Sequence, residues 1–277
     1  MRLLHFKRYG VWLGAGLLLV SGQAGICLNP PSSLGPEDIV RKAVSKAQAA
    51  RDDSRRADYC YTKQVVVEDL DNQGRVTETK EKVFRFSSGF GSLEQVKING
   101  QVAGGARLKQ EEDRTARQSS QLVDSKSAKR DDHWEKYITP DLMAKYQYAL
   151  VGRELVNGRP TYVIAFQPRS GNLSVRQMAD RLLNQLAGRV WIDEQEFEIA
   201  RAEICSQSKV ALGGVMELLG SLKRFSFALE RVRLDEGIWF NRLASGDFEG
   251  RKLLDSTHVK TRSETSGFHK VSNERKS

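Results

Sequence analysis

The sequence predicts a mainly β protein with α-helical cover (α+β), in which a curved antiparallel sheet forms an incomplete barrel, or half-barrel, with helices on its concave side. After residue 58, apolar and polar residues alternate with period two in one segment after another. Turn pairs such as Asn99-Gly100 and Asn157-Gly158 join these segments as hairpins. About ten such strands exceed what a small flat sheet holds, so the sheet must curl and helices must cover its buried face.

The leading helix is predicted over residues 36–50. Pro36 suits a first helical turn. Apolar residues then recur at steps of three and four along one side: Ile39, Ala43, Val44 and Ala47. A second amphipathic helix is predicted over residues 174–187, with Ser174 as its cap. We expect both helices to lie on the sheet.

The strands are predicted as sequential hairpins. The first covers residues 58–87 and turns at Asp71–Gly74. Further hairpins cover residues 145–167, 188–206 and 223–245, and a last turn at Glu249-Gly250 leads into a strand over 251–262. Two segments fit this pattern less well. Residues 104–136 are charged and predict a mobile or partly helical insertion, which we expect to be a solvated loop rather than a binding lid. Residues 210–222 predict a short helix or an apolar loop.

Composition narrows the class of protein. The 277 residues carry 44 Lys and Arg against 35 Asp and Glu, a net charge of +9, and 39% are hydrophobic. That hydrophobic content is typical of a globular chain. The basic balance suits anionic lipid headgroups or solubility alone. Nucleic acid is not expected as a partner, because the chain is predicted to be exported.

The first 24 residues predict a secretory signal peptide, cleaved after Ala24. A basic start precedes an uncharged apolar run over residues 11–20, and small residues follow it. The run is shorter than the ~20 residues that span a bilayer. We expect a periplasmic protein. Lipidation of Cys27 and an uncleaved anchor are less favoured, the former because Ile26 is bulky where a lipoprotein signal has a small residue. Residues 25–35 are predicted as a linker, 36–265 as one domain and 266–277 as a polar tail.

No catalytic chemistry is recognisable. The sequence contains no Gly-x-Ser-x-Gly, His-Glu-x-x-His, P-loop or dinucleotide-binding pattern. Asp131, Asp132 and His133 are too few for a metal site. We therefore expect no enzyme activity, cofactor or metal. Cys60 and Cys205 lie in strand-like segments, either as a disulfide or as two buried free thiols.

The order of elements resembles the periplasmic lipoprotein-carrier superfamily, the LolA/LolB-like fold, and the related outer-membrane lipoprotein-sorting-like proteins. The likeness rests on the leading helix before Tyr59, the hairpins, the Gly188–Asp193 segment and the Gly237-Ile238-Trp239 turn, and it covers about residues 36–265. Residues 104–136 and 170–187 look like insertions. The resemblance implies an open half-barrel with an apolar cavity beneath helices, and no catalytic residues.

Apolar residues on alternating strand positions are the candidates for lining such a cavity. A pocket binds apolar ligands only where helices leave it unfilled, and an ordinary packed core is the alternative. The candidates are Val65, Val67, Phe84, Phe86, Tyr162, Ile164, Phe166, Trp191, Phe225, Phe227, Leu229 and Trp239.

The functional expectation is an exported, non-catalytic, monomeric protein that holds a lipid or lipoprotein acyl chain. Its role would lie in outer-membrane lipoprotein sorting or envelope lipid transport. The alternative is a periplasmic sensor or interaction module that binds another membrane or envelope protein through an open sheet edge.

Overall fold

The computed structural model describes residues 34–50, 54–88, 90–111, 113, 138–169, 182–208, 210–211, 221–252 and 255–271. The predicted signal peptide, the linker up to residue 33 and most of the predicted helix over 174–187 lie outside the described residues. No described helix is long and apolar enough to cross a membrane.

The described strands form one antiparallel sheet of twelve strands. The strands are β1 (Tyr59–Leu70), β2 (Val76–Ser87), β3 (Phe90–Ile98), β4 (Gln101–Val102), β5 (Tyr146–Val156), β6 (Arg159–Pro168), β7 (Leu186–Asp193), β8 (Ile199–Ser206), β9 (Val210–Ala211), β10 (Ser221–Arg233), β11 (Trp239–Lys252) and β12 (Asp255–Lys270). The helices are α1 (Pro36–Ala50), α2 (residues 105–111) and α3 (Pro140–Ala144).

The sheet order is β4-β3-β2-β1-β12-β11-β10-β8-β7-β6-β5, and β9 pairs with β10. Its ends, β4 and β5, do not pair with each other, so the described strands form an open half-barrel rather than a closed one. Most neighbours are consecutive hairpins, as the sequence predicts. There are two exceptions: β8 pairs with β10, and the first strand with the last, which brings Val65 opposite Ser263.

Helix α1 forms as its apolar period predicts. Ile39, Val40, Ala43, Val44 and Ala47 are buried on one side. The first turn closes on Gly35, whose carbonyl accepts from the N–H groups of Asp38 and Ile39. The buried side packs against sheet residues that include Ile164, Ile192, Ala202 and Leu229. Each fully buried Ile or Leu contributes about 1.5–3 kcal/mol, which fixes α1 on this face.

The two Asn-Gly pairs form the predicted tight turns. Asn157 and Gly158 have φ of 49° and 76°, and Asn99 and Gly100 have φ of 50° and 80°. Two successive residues with positive φ make a type I′ turn, whose twist matches that of the strands it joins.

Three predicted boundaries are wrong. Glu249-Gly250 is not a turn, because β11 continues to Lys252 and a Cβ on Gly250 would lie 2.8 Å from the Ser221 carbonyl oxygen of β10. The polar tail does not begin at residue 266, because β12 continues to Lys270. The predicted helix over 174–187 does not reach residue 187, because Leu186 begins β7.

The two segments without a clear pattern acquire partial structure. In residues 104–136, for which the sequence predicts a mobile or partly helical insertion, residues 105–111 form helix α2. In residues 210–222, Val210 and Ala211 pair with Leu222 and Ser221 as a short strand.

Cys60 and Cys205 are both free thiols, so they do not form a disulfide with each other. They lie on β1 and β8, which β12, β11 and β10 separate in the sheet. At about 4.8 Å per strand the two positions are roughly 19 Å apart along the sheet, whereas a disulfide needs Cα atoms within about 7 Å. Cys60 is half-buried and its thiol contacts the Ser87 hydroxyl at 3.3 Å, while Cys205 is exposed rather than buried.

Candidate binding surface

The sheet register shows which side chains share the face that α1 covers, called here the helix-covered face. Directly opposite residues of neighbouring strands point to the same face. Because α1 packs on Ile164 and Leu229, the whole cross-strand row that contains them lies on this face. The row runs Ile164, Val190, Ala202, Leu229, Ala244, Ser263, Val65, Lys82 and Val96.

A second row lies two residues further along the same face. It runs Phe166, Gly188, Ile204, Phe227, Gly246, Thr261, Val67 and Lys80. Gly188 and Gly246 in this row have no side chain, which leaves room for a backbone carbonyl and an aromatic ring beside them. A Cβ on Gly246 would lie 2.4 Å from the Phe248 ring, and one on Gly188 would lie 2.0 Å from the Glu203 carbonyl oxygen.

The residues predicted to line a cavity fall mostly on the helix-covered face. Register places these there: Val65, Val67, Phe84, Phe86, Tyr162, Ile164, Phe166, Phe225, Phe227 and Leu229. They share the face because they keep period two within their strands.

Part of this surface is closed core. Ile164 is fully buried and Leu229 is 4% exposed beneath α1. Phe86 is buried too, and its ring stacks on Tyr61 at 4.7 Å between centroids. Phe240 and Phe268 complete this aromatic cluster. These positions are filled by the protein itself.

The remaining seven residues stay half-buried. Tyr162 packs on the α1 core, and Phe166 contacts the Tyr146 ring at 5.4 Å. The other five lie on β1, β2 and β10 and are called here the apolar strip: Val65, Val67, Phe84, Phe225 and Phe227, the last of which also borders the α1 core. Phe225 contacts the Phe248 ring of β11 edge-to-face at 5.3 Å. The apolar surface therefore continues past α1 and is only half covered where α1 ends.

Trp191 and Trp239 do not belong to this surface, which corrects their predicted role. Trp191 pairs with Val163, one position out of phase with Ile164, so it points to the opposite face. There it packs with Val156, Val163, Ala200 and Trp239. Trp191 is apolar like the other predicted cavity residues, but the alternation of side chains along β7 places it on the face opposite to α1.

The two indole groups are held by carboxylates. Trp191 Nε1 donates to Glu154 at 2.8 Å and Trp239 Nε1 donates to Glu196 at 2.7 Å. Arg231 is 1% exposed beside Trp239 and bonds Glu198 Oε2 at 2.7 Å. Each of these carboxylates lies on another strand or turn than the group it holds, so the cluster has a structural role.

One buried ion pair lies on the helix-covered face beside the apolar strip. Lys82 Nζ of β2 lies 2.9 Å from Glu111 Oε2 of α2, and the two side chains are 13% and 10% exposed. Lys82 is opposite Val65 on one side and Val96 on the other. Sequence reasoning missed this pair, although the alternation of Lys80, Lys82, Phe84 and Phe86 placed lysines on an apolar face.

The opposite face carries a groove of about 830 Å³, which the sequence did not predict. Small residues, Ser226, Ala228 and Ser245, form its centre. Charged residues surround them: Glu68, Arg189, Glu203, Asp247, Lys260 and Arg262. Both signs alternate across the strands, since Lys260 lies opposite Asp247 on one side and Glu68 on the other.

Two tyrosines of β5 with raised pKa values have a packing role. Burial raises the pKa of Tyr146 to about 12, and its hydroxyl donates to the Leu183 carbonyl. Burial, together with Tyr146, also raises the pKa of Tyr148, which donates to the Met143 carbonyl at 3.1 Å. Within the described part of the chain, no group of three or more His, Cys, Asp or Glu side chains is placed to hold a metal ion.

Comparison with known proteins finds similarity in structure alone. No family model matches the chain, and no curated protein matches it. A DUF1329 family protein from Desulfovibrio piger is 13% identical, with a TM-score of 0.31, over 87% of this chain and 95% of that one. A LolA superfamily protein from Nitrosomonas europaea is 10% identical, with a TM-score of 0.28, over 85% and 93%. Lipoprotein LppX of Mycobacterium tuberculosis is 10% identical, with a TM-score of 0.28, over 83% and 94%.

Proposed function

We propose that this chain is an exported, non-catalytic binding protein that holds the acyl chain of a lipid or lipoprotein on its helix-covered face. The observation that carries the proposal is the apolar strip: five apolar side chains on one face, half-buried, next to a face that α1 has already closed. The protein would work as a periplasmic monomer in outer-membrane lipoprotein sorting or envelope lipid transport.

The energetics favour reversible holding. Burying one methylene contributes about 0.8 kcal/mol. On a surface that covers an acyl chain from one side, about half of that is gained. Twelve methylenes would then give roughly 5 kcal/mol, before headgroup contacts add to it. Binding of this strength needs no covalent step and permits release.

The test uses a matched pair of substitutions on β1. Val67→Trp fills the apolar strip, while Val66→Trp adds the same bulk on the opposite face, and both valines are half-buried. Protein purified without detergent is titrated with the neutral fluorescent probe N-phenyl-1-naphthylamine. Native mass spectrometry and lipid extraction then identify what the purified protein carries.

The unsubstituted protein should take up the probe and carry an extractable lipid. Val67→Trp should weaken probe binding at least tenfold, because the indole occupies the volume of several methylenes. Val66→Trp should leave it within twofold. Equal loss in both variants, or no uptake by the unsubstituted protein, would contradict the proposal.

A second candidate function rests on the sheet edge. Strand β5 has a neighbour on one side only among the described strands, and Leu150, Val151 and Leu155 are 42%, 52% and 72% exposed on it. Such an edge accepts an added strand from another envelope protein. Loss of a captured partner in Val151→Lys, together with a lipid-free native mass spectrum, would favour this sensor or interaction module.

A further inference from the structure

We propose that the ligand of the helix-covered face is an anionic amphiphile, whose headgroup takes the place of the Glu111 carboxylate at Lys82 while its tail lies on the apolar strip. The inference rests on the proposed function and names the ligand's chemistry. It applies to carboxylate and phosphate headgroups alike.

The first argument is the energetics of the Lys82–Glu111 pair. Its directly opposite neighbours on the sheet are apolar, Val65 and Val96, and so is Phe84 two residues along β2, while Lys80 lies two residues along in the other direction. An ion pair placed among apolar side chains loses hydration that its attraction hardly repays. Apolar residues would serve packing at least as well here, so a cation at this position points to an anion that binds it.

The second argument is position. Lys82 lies on β2, next to β1, whose Val65 and Val67 begin the apolar strip. From β1 the row through Val67, Thr261, Gly246 and Phe227 crosses three strand spacings, about 14 Å. An acyl tail along this row starts within reach of the Lys82 side chain and ends at the edge of the α1-covered core.

The third argument is that the two partners of the pair lie on different elements. Lys82 is fixed in the middle of a twelve-residue strand that is paired on both sides. Glu111 is on α2, outside the sheet. Exchange of one carboxylate for another anion therefore leaves the strand pairing intact, and the ammonium group keeps an anion beside it in both states.

Lys80, the next cation on this face, is less suited to the role. It pairs with Glu78 of its own strand and lies 3.6 Å from Asp69, so two carboxylates on the sheet itself already neutralise it. Displacing them would break contacts within the sheet. The same reasoning favours Lys82 over Lys80.

The experiment compares acids with neutral ligands of equal tail length. Myristate is compared with methyl myristate, and monomyristoyl lysophosphatidate with monomyristoyl glycerol, by displacement of N-phenyl-1-naphthylamine. The unsubstituted protein should bind at least one acid about tenfold more tightly than its neutral counterpart. The acid with the larger preference shows whether the headgroup is a carboxylate or a phosphate.

Four variants assign that preference. Lys82→Met should reduce it to within twofold, and Lys82→Arg should keep it. Glu111→Gln should raise the affinity for the acid several-fold, because the competing charge is gone. Lys97→Met is the matched control: Lys97 pairs with Glu81 at 3.6 Å on the opposite face, next to Lys82 in the ladder. It should leave the preference unchanged.

The outcomes separate this inference from the function on which it rests. If the acids and the neutral ligands bind equally, or if Lys82→Met retains the preference while its thermal unfolding stays cooperative, the headgroup assignment is wrong and the acyl-binding function stands. If neither class displaces the probe, or the probe itself does not bind, both are wrong. If Lys82→Met does not fold, Glu111→Gln decides alone: unchanged acid affinity overturns the inference.

Discussion

Substitution of Asp193 by Asn should destabilise the protein by about 2–3 kcal/mol at pH 7, the cost of losing one charge-assisted hydrogen bond to a partly hydrated arginine and the charge that strengthens a second. Asp193 has no exposed surface at the end of β7. Its carboxylate accepts from Arg159 Nε at 2.6 Å and Nη2 at 2.9 Å, and from the N–H groups of Gln195 and Glu196 at 3.0 and 2.8 Å. The side chain therefore ties β6 to the turn that leads into β8.

The magnitude follows from what an asparagine side chain retains at this position. Its amide oxygen still accepts from the turn N–H groups, so the turn survives. The bond from Arg159 Nη2 goes to this same oxygen and persists without its charge, whereas the bond from Nε is lost because the amide nitrogen cannot accept it. A hydrogen bond to a charged group contributes about 1.5–3 kcal/mol. Arg159 is 24% exposed and lies 3.9 Å from Glu196, so it is partly hydrated and keeps a second partner. This lowers the cost below the roughly 3–5 kcal/mol typical of a fully buried pair.

The pH dependence has a definite sign. Burial alone would raise the pKa of Asp193, but the hydrogen bonds from Arg159 and the turn outweigh it and hold that pKa below its usual 3.8. A carboxyl whose pKa is lower in the folded protein stabilises the fold above its unfolded pKa, and this contribution is lost as pH falls through the folded pKa. The difference between the unsubstituted protein and Asp193→Asn should therefore be constant from about pH 7 to about pH 5 and shrink below about pH 4.

Urea unfolding followed by tryptophan fluorescence measures this difference, because Trp191 and Trp239 are buried close to the site. Glu194→Gln is the matched control: its carboxylate, one residue away, pairs with Arg153 at a position where the arginine is 65% exposed. Exposed pairs contribute about 0–1 kcal/mol. A cost for Asp193→Asn no larger than that of Glu194→Gln, or no coupling to Arg159→Met in a double-mutant cycle, would refute the reasoning.

Two further predictions concern the sheet itself. Gly188→Ala should lower the unfolding free energy by about 2 kcal/mol or more, because its Cβ would lie 2.0 Å from the Glu203 carbonyl oxygen and force β7 from β8. Gly152→Ala, where nothing lies within 4 Å, should change it by less than about 0.5 kcal/mol, and equal effects in thermal melts would contradict the steric reason. Phe268→Ala should cost about 1–3 kcal/mol by removing a ring that packs on Tyr61 and Phe240. An unchanged melting temperature would mean that the residues after 265 are a dispensable tail after all.

What the sequence predicted correctly is what short-range chemistry determines. Asn157-Gly158 makes its turn because of its own backbone freedom, and α1 buries the side that its apolar period marks. Gly250 shows the limit of this reasoning. It was read as a turn because glycine frees the backbone, but it lies inside β11 because the β10 backbone approaches it. Only the partner strand reveals which of these two reasons applies.

In the candidate binding surface, too, the sequence predicts what depends on neighbouring residues and not what depends on distant ones. Residues that keep period two, such as Val65 and Val67, lie together on one face. Trp191 is apolar like the other candidates, but its position between Val190 and Ile192 places it on the opposite face. The Lys82–Glu111 pair lay beyond sequence reasoning for another reason: it joins a strand to residues 104–136, which composition alone describes as a solvated loop.

The apolar strip is only partly covered because helix α1 is shorter than the sheet is wide. Eleven strands in succession at about 4.8 Å make a sheet about 48 Å wide. A helix of fifteen residues is about 22 Å long, so α1 covers about five strand spacings, or five to six strands. Its core contacts accordingly lie on β5, β6, β7, β8, β10 and β11. The β12–β1 pairing then continues the same apolar face beyond the reach of that helix. The part of the face that α1 does not cover must either carry polar side chains or be covered by another apolar group. At Val65, Val67 and Phe84 it stays apolar, and at Lys82 it carries a charge that such a partner's headgroup can meet.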